Sequence, residues 1–413
     1  MSRNIEVMAP AGGFDSLMAA VQGGANSVYF GVEQLNMRAR ATMNFTLEDI
    51  PEVARICKEN NMRSYITLNT IVYDHDLSVI KTVVNAAKEA GITAIIAADQ
   101  AVIAYARSVG MEVHISTQVN VTNIETVKFY ALFADTIVLA RELSLKQVKK
   151  ITDTIREEQI KGPSGRLIEI EIFVHGALCM AVSGKCYLSL HSHNASANRG
   201  ACIQNCRRPY KVIDLEGGNE LEIDNEYIMS AQDLCTIDFI DEVLDSGVVV
   251  LKIEGRGKGP EYVKTVTQCY REAVDAWLAG TYTREKALQW KDKMEQVFNR
   301  GFWSGYYLGQ ELGAWNDSAG SKAKLRKIYL GKGNRYFSQL GVGEFLIETH
   351  SLKVGDTILI TGPTTGVIET VVEELHTDQG SVEKAVKGNL CSIKLDSPIR
   401  KSDKLYKLVS ASE

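Results

Sequence analysis

Along roughly the first three hundred residues, apolar positions follow two alternating rhythms. Short runs rich in Val, Ile and Ala punctuate longer stretches in which apolar residues return every three or four positions. The short runs predict strands at 5–9, 27–30, 64–68, 94–97, 112–116, 136–139, 169–174 and 248–253. The stretches between them predict helices at 14–22, 47–60, 77–90, 101–109, 122–132, 144–159 and 236–246, with Thr46 capping the second. Eight strands alternating with helices predict an α/β fold with a parallel sheet, and eight is the number that closes a (β/α)8 TIM-like barrel. An open doubly wound sheet is the alternative, but no GxGxxG loop follows the first strand.

The interval between the seventh and eighth strands is much longer than the others and predicts an insertion at about 176–235, with an acidic loop at 217–226 and a short strand at 227–229. After Trp315 the rhythm changes to segments that alternate or are β-rich at 342–347, 357–361, 366–374, 390–394 and 405–408, which predicts a small all-β barrel over 338–413. The expected organisation is a barrel over 1–320, a basic linker over 321–337 and this β domain. The linker holds Lys322, Lys324, Arg326, Lys327, Lys332 and Arg335 without an acid, so it also reads as a local footprint for nucleic acid.

Polar residues collect just past the expected strands, among them Asn69, Gln118, Asn120, Arg141, Glu142, His175, Glu254 and Arg256. In barrels that rim is where sites are built. With 45% hydrophobic and 23% charged residues the 413-residue chain reads as an ordinary globular protein. Its apolar runs are too short to span a membrane and no secretory leader is evident, which predicts a cytoplasmic location. There the eight cysteines stay reduced and available as ligands. A net charge of −5 excludes a whole-molecule basic field, so nucleic-acid binding would rest on local patches.

Four cysteines, Cys179, Cys186, Cys202 and Cys206, follow the seventh strand, with six, fifteen and three residues between successive members. Ser, Lys, Asn, His and Gly surround them, unlike a packed core. Four thiolates suit an iron–sulfur cluster or a zinc ion. The spacing lacks the CxxC pairs of structural zinc modules, and wide spacing suits a cluster, which spreads its ligands over more volume than one ion. Cys235 is an alternative to Cys206 as fourth ligand, whereas Cys57, Cys269 and Cys391 read as packing residues. A Cys–His nucleophile is the competing chemistry, with His175 close to Cys179 and His114 at another strand end. Neither a GxSxG elbow nor an HExxH zinc site is present.

The run EIFVHGALC from Glu171 to Cys179, followed by SGKCYLS from Ser183 to Ser189, closely resembles the signature of the collagenase-like peptidase family, unclassified peptidase family thirty-two. Further matches are MAPAG from Met8, HISTQ from His114, LARELS from Leu139 and LKIEGR from Leu251. Despite its name, the family's better-understood members resemble RNA- and quinone-modifying hydroxylases that hold a 4Fe-4S cluster and work without molecular oxygen. The run NRGAC ending at Cys202, with Cys206 and Arg207 after it, is most similar to the branch that hydroxylates the wobble uridine of tRNA and depends on prephenate. The resemblance implies that Cys179, Cys186, Cys202 and Cys206 hold the cluster, and that the partners are a tRNA anticodon loop and prephenate. Strand-end position then suggests Arg38, Arg141, Lys252 and Arg256 for the prephenate carboxylates. It also suggests His114, His175 and Glu254 for proton transfer. Arg207, Arg208, Lys258 and the basic stretch are candidates for phosphates. A peptidase and a zinc-stabilised RNA-binding protein without catalysis are the other classes.

Overall fold

A computed structural model describes residues 4–33, 36–37, 44–210, 227–309 and 313–411. Ten strands make its first sheet: β1 (Glu6–Ala11), β2 (Ser27–Gly31), β3 (Arg63–Leu68), β4 (Ala94–Ala97), β5 (Glu112–Ile115), β6 (Thr136–Val138), β7 (Glu169–Ala177), β8 (Asp233–Cys235), β9 (Val250–Ile253) and β10 (Phe302–Trp303). β1 to β7 pair in order and in parallel, and β9 closes the circle by pairing with β1 (Glu6 opposite Val250) and β7 (Glu171 opposite Val250). The barrel expected from the eight apolar runs is therefore formed. Its strands are buried along nearly their whole length because helices cover them from outside and side chains fill them from inside.

Alternation sorts the side chains. Val7, Val28, Ile66 and Ile95 join the helices in one large outer core. Met8, Tyr29, Tyr65, Ala94, Ile96 and Val250 form a separate small cluster, and these positions point into the barrel. Full burial of each large apolar side chain stabilises the fold by about 1.5–3 kcal/mol.

β7 continues past the barrel to Ala177 and pairs antiparallel with β8, His175 lying opposite Cys235. The insertion between them holds the helix Leu188–His193 and two single turns, Ala197–Arg199 and Asn205–Arg207. The expected acidic loop at 217–226 lies outside the described residues, and the expected strand at 227–229 is a turn.

The C-terminal unit is an eight-stranded antiparallel sheet with a two-stranded companion, and it has its own core around Leu330, Phe345, Ile360 and Leu405. The stretch expected as a basic linker is instead mostly its longest strand, Leu325–Phe337, paired on both sides. Its cations are also largely neutralised. Lys322 meets Asp317 at 2.7 Å, Lys324 meets Asp292 at 2.6 Å, Lys327 meets Glu261 at 2.7 Å and Lys332 meets Glu348 at 2.8 Å. Three of those acids lie thirty or more residues upstream or on the neighbouring strand, so the local excess of Lys and Arg overstated the field. The sheet docks on the barrel through Gln22, whose amide donates to the Thr365 carbonyl (3.0 Å) and accepts from the Val367 N–H (2.8 Å). Among the described residues no helix is long and apolar enough to cross a membrane.

Candidate active site

At the carboxyl ends of the barrel strands the insertion folds over a cavity of about 260 Å³. Cys179, Cys186, Cys202 and Cys206 all line it, as do Arg141, Lys252, Glu254 and Arg256. The cysteines reach the cavity from separate segments: Cys179 just after β7, Cys186 before the helix Leu188–His193, Cys202 ahead of the last turn and Cys206 within it. Arg207 ties that turn down, donating to the carbonyls of Leu178 and Ala231 and to Ser230 Oγ. Its guanidinium is committed to holding the insertion together. Burial pushes the Cys206 thiol up; Arg207 opposes this, and Cys179, Cys202 and Cys186 raise it further, so the four sulfurs sense one another.

Cys235 is elsewhere. It is buried in β8, absent from the cavity wall, and burial pushes its thiol up to about 12. Strand pairing with β7 directs it into the core, which leaves Cys206 as the fourth thiol of the cavity.

The floor is built from β2, β3, β7 and the β9 end. Arg256, 5% exposed, donates to Asn36 Oδ1 (3.0 Å) and Thr67 Oγ1 (2.9 Å). Gly31 is what lets the guanidinium lie there, since an added Cβ would stand 2.6 Å from its Nη1. Arg141 donates to the Ala177 carbonyl (2.9 Å) and lies 3.8 Å over the Phe173 ring, while its buried Nε has no hydrogen-bond partner. Tyr29 donates to the Ile253 carbonyl (2.9 Å) and to Glu254 Oε2 (3.2 Å). With Lys258 and Arg300, the wall carries six cationic side chains and one carboxylate, Glu254, among the described residues. Such a wall favours anionic ligands. Arg208 is exposed and outside the cavity wall, and Arg38 lies outside the described residues.

Beneath the floor a row of charges runs into the barrel. Lys252 Nζ is 2.6 Å from Glu171 Oε1, and Glu171 Oε2 is 3.8 Å from His114 Nδ1. His114 Nε2 is 3.6 Å from Glu112, which reaches solvent at the opposite end. Burial disfavours the imidazolium, yet the carboxylates of Glu112 and Glu171 outweigh it and raise His114 to about 9. His114 is thus a charged lumen residue one layer below the cavity, and it does not line the wall.

His175 does not line it either. The strand-end position expected for His175 put it at the site, but β7 runs on to Ala177 and a bulge between Phe173 and His175 sets two residues against one on β9. Phe173 stays opposite Lys252, whereas His175 falls opposite Ile253 and turns outward among Tyr262, Tyr270 and Phe302. Burial there, with Lys258 nearby, lowers it to about 3. The neutral ring in the fold therefore competes with a protonated ring in the unfolded chain below pH 6.5. Stability falls as pH drops from 6.5 towards 3, by about 2 kcal/mol at pH 5. His114 acts oppositely: its contribution is complete below 6.5 and is lost as pH rises through 9. Urea unfolding at pH 7 and 5 should show the acid loss in the wild type and a much smaller one in His175→Phe; equal losses would refute this assignment.

Tyr29, Phe173 and Arg300 are wall residues that the strand-end survey passed over. Tyr29 and Phe173 were accessible from alternation, since each shares parity with an inward neighbour. Arg300 carries no local signal, because its place is set by Asp233, 3.3 Å away and distant in sequence.

Several relatives resemble the chain over much of its length. A protein named collagenase from Porphyromonas gingivalis is 55% identical over 410 residues, covering 99% of each chain. The tRNA hydroxylation protein P1 of Bacillus subtilis is 30% identical over 417 residues, covering 98% of this chain and 96% of that one. A 23S rRNA 5-hydroxycytidine synthase of Escherichia coli is 33% identical over 276 residues, covering 67% of this chain and 40% of that one. With the profile of peptidase family U32 matching residues 12–317, from the first β–α turn through the cysteine-bearing insertion, the chain belongs to that family.

Proposed function

We propose that the chain is a cytoplasmic RNA-modifying enzyme: an oxygen-independent hydroxylase that converts the wobble uridine of tRNA to 5-hydroxyuridine, with prephenate as co-substrate and a 4Fe-4S cluster in the insertion. The observation that carries this reading is the meeting of four thiols with a strongly cationic wall in one cavity at the barrel rim. Hydroxylation of tRNA and synthesis of a hydroxylated rRNA base in the named relatives support the same class.

Cys179, Cys186, Cys202 and Cys206 would hold the cluster, which when bound supplies electron-transfer and Lewis-acid chemistry. The donor set suits such a group: four thiols share one wall, and thiolates are the ligands that an iron–sulfur cluster takes, with zinc as the alternative.

Arg141 and Arg256 are set to pair with the two carboxylates of prephenate, Arg offering the planar fork that carboxylates match. A uracil base must leave its stack to enter, and single-stranded loops allow this most easily. Glu254, whose Oε2 accepts a hydrogen bond from the Tyr29 hydroxyl, would be the wall carboxylate that exchanges a proton with the bound base.

A peptidase is the second reading, favoured by the collagenase name of the 55% identical relative. A cysteine nucleophile needs a neighbouring base, and among the described residues no histidine lines the cavity. Purification without air followed by absorption spectroscopy and metal analysis tests the proposal. A brown protein with about four irons per chain is expected. Colourless protein with stoichiometric zinc, or metal-free protein that cleaves collagen, would overturn it.

A further inference from the structure

Beside the cysteine cavity lies a shallow cleft walled by Trp303, Tyr306, Gly313 and Trp315. The two spaces share Arg141, Leu178, Cys179, Met180, Ala181 and Ser183, so the cleft opens on the same rim. Its aromatic rings are unusually available: Trp315 is 38% and Tyr306 39% exposed. Their backbones, by contrast, are held firmly. Trp303 lies in β10, paired with β8 through Phe302 and Asp233. Trp315 is bridged to Ala231, its carbonyl accepts from Gln232 Nε2 (3.2 Å), and the N–H of Asn316 donates to the Ser230 carbonyl (2.7 Å). The rings of Trp303 and Tyr306 meet edge to face, centroids 5.1 Å apart.

A Cβ at Gly313 would be in ordinary contact with both indoles, 3.6 Å from the Trp315 ring and 4.0 Å from that of Trp303, so both border one gap. Exposed, rigidly mounted aromatics next to a cationic cavity are the combination that takes unstacked nucleobases, since the rings stack on the base while Arg and Lys meet the backbone. Met180 and Trp315, both exposed, make the same rim apolar.

We propose that this cleft is a second nucleobase seat, stacking the base that neighbours the one entering the cysteine cavity. The proposal rests on the RNA reading above and adds to it a residue-level subsite that holds the loop in a splayed form. The shared wall formed by Cys179, Met180 and Ala181 is the partition between the two bases.

Binding of an anticodon stem–loop RNA, followed by anisotropy of a label on the RNA stem, tests this. Trp315→Ala should weaken binding roughly 5- to 150-fold, the range for loss of one base–aromatic stack. Trp315→Phe should recover most of the loss, which separates stacking from a damaged fold. An abasic nucleotide flanking the target uridine should weaken wild-type binding by a similar factor, yet cause little further loss in Trp315→Ala. Binding by Trp315→Ala within twofold of wild type, or abasic and alanine effects that simply multiply, would overturn the seat while leaving the RNA reading intact. A wild-type protein that binds no stem–loop RNA would overturn both.

Discussion

Cys202→Ala should be colourless and should have lost tRNA hydroxylation completely, while melting close to the temperature of metal-free wild type. Cys202 is half-buried on the cavity wall and contributes nothing to either hydrophobic core, so removing its sulfur costs the fold little. On the proposed reading its value lies in ligation. A cluster held by three thiolates instead of four has an open iron site and is easily lost. Cys235→Ala is the informative contrast. That thiol is 4% exposed within the outer core, so its loss should lower stability by about 1 kcal/mol through a small cavity yet leave colour and activity in place. Absorption, iron content and modified-nucleoside analysis on the two variants decide between them. A coloured, active Cys202→Ala protein would refute the ligand assignment, and a colourless Cys235→Ala protein would move the fourth ligand to β8.

The second large effect is on stability. Glu171→Ala should destabilise the protein by about 3–5 kcal/mol, because it strands two cations in the barrel interior. Glu171 is fully buried between the Lys252 ammonium at 2.6 Å and the His114 imidazole at 3.8 Å. Burial alone would raise its carboxyl, but Lys252 and His114 bring it below the usual range, so the charged form belongs to the fold. Replacing both members, as Glu171→Leu with Lys252→Met, should restore much of the stability, since a well-packed apolar pair of similar volume can match a buried ion pair. The double variant should remain impaired in catalysis, because the cavity loses the Lys252 charge. Chemical unfolding midpoints provide the measurement. A single-variant loss under about 1 kcal/mol would show that the row of charges is not coupled.

The barrel was legible because its strands are buried on both faces and therefore read as continuous apolar runs. The cysteines were legible because polar neighbours set them apart from core thiols. Three features were hidden for distinct reasons. The outward turn of His175 depends on one bulged residue, which inverts the parity of everything after it. The neutralisation of the 321–337 cations depends on acids such as Asp292 and Glu261, brought close only by the docking of the β sheet. The separation of Cys206 from Cys235 depends on which side of β7 each segment packs, and antiparallel pairing of β8 is a tertiary choice.

The Gln22 clamp also bears on how the protein is made. Its hydrogen bond to Thr365 spans 343 positions, so the helix Phe14–Gln22 waits for a segment of the C-terminal sheet before its outer flank is covered. Until then Leu359 and Val367, which belong to the barrel's own outer core, are absent from it. A nascent chain stalled before the sheet emerges would present sticky, half-finished barrel to its surroundings.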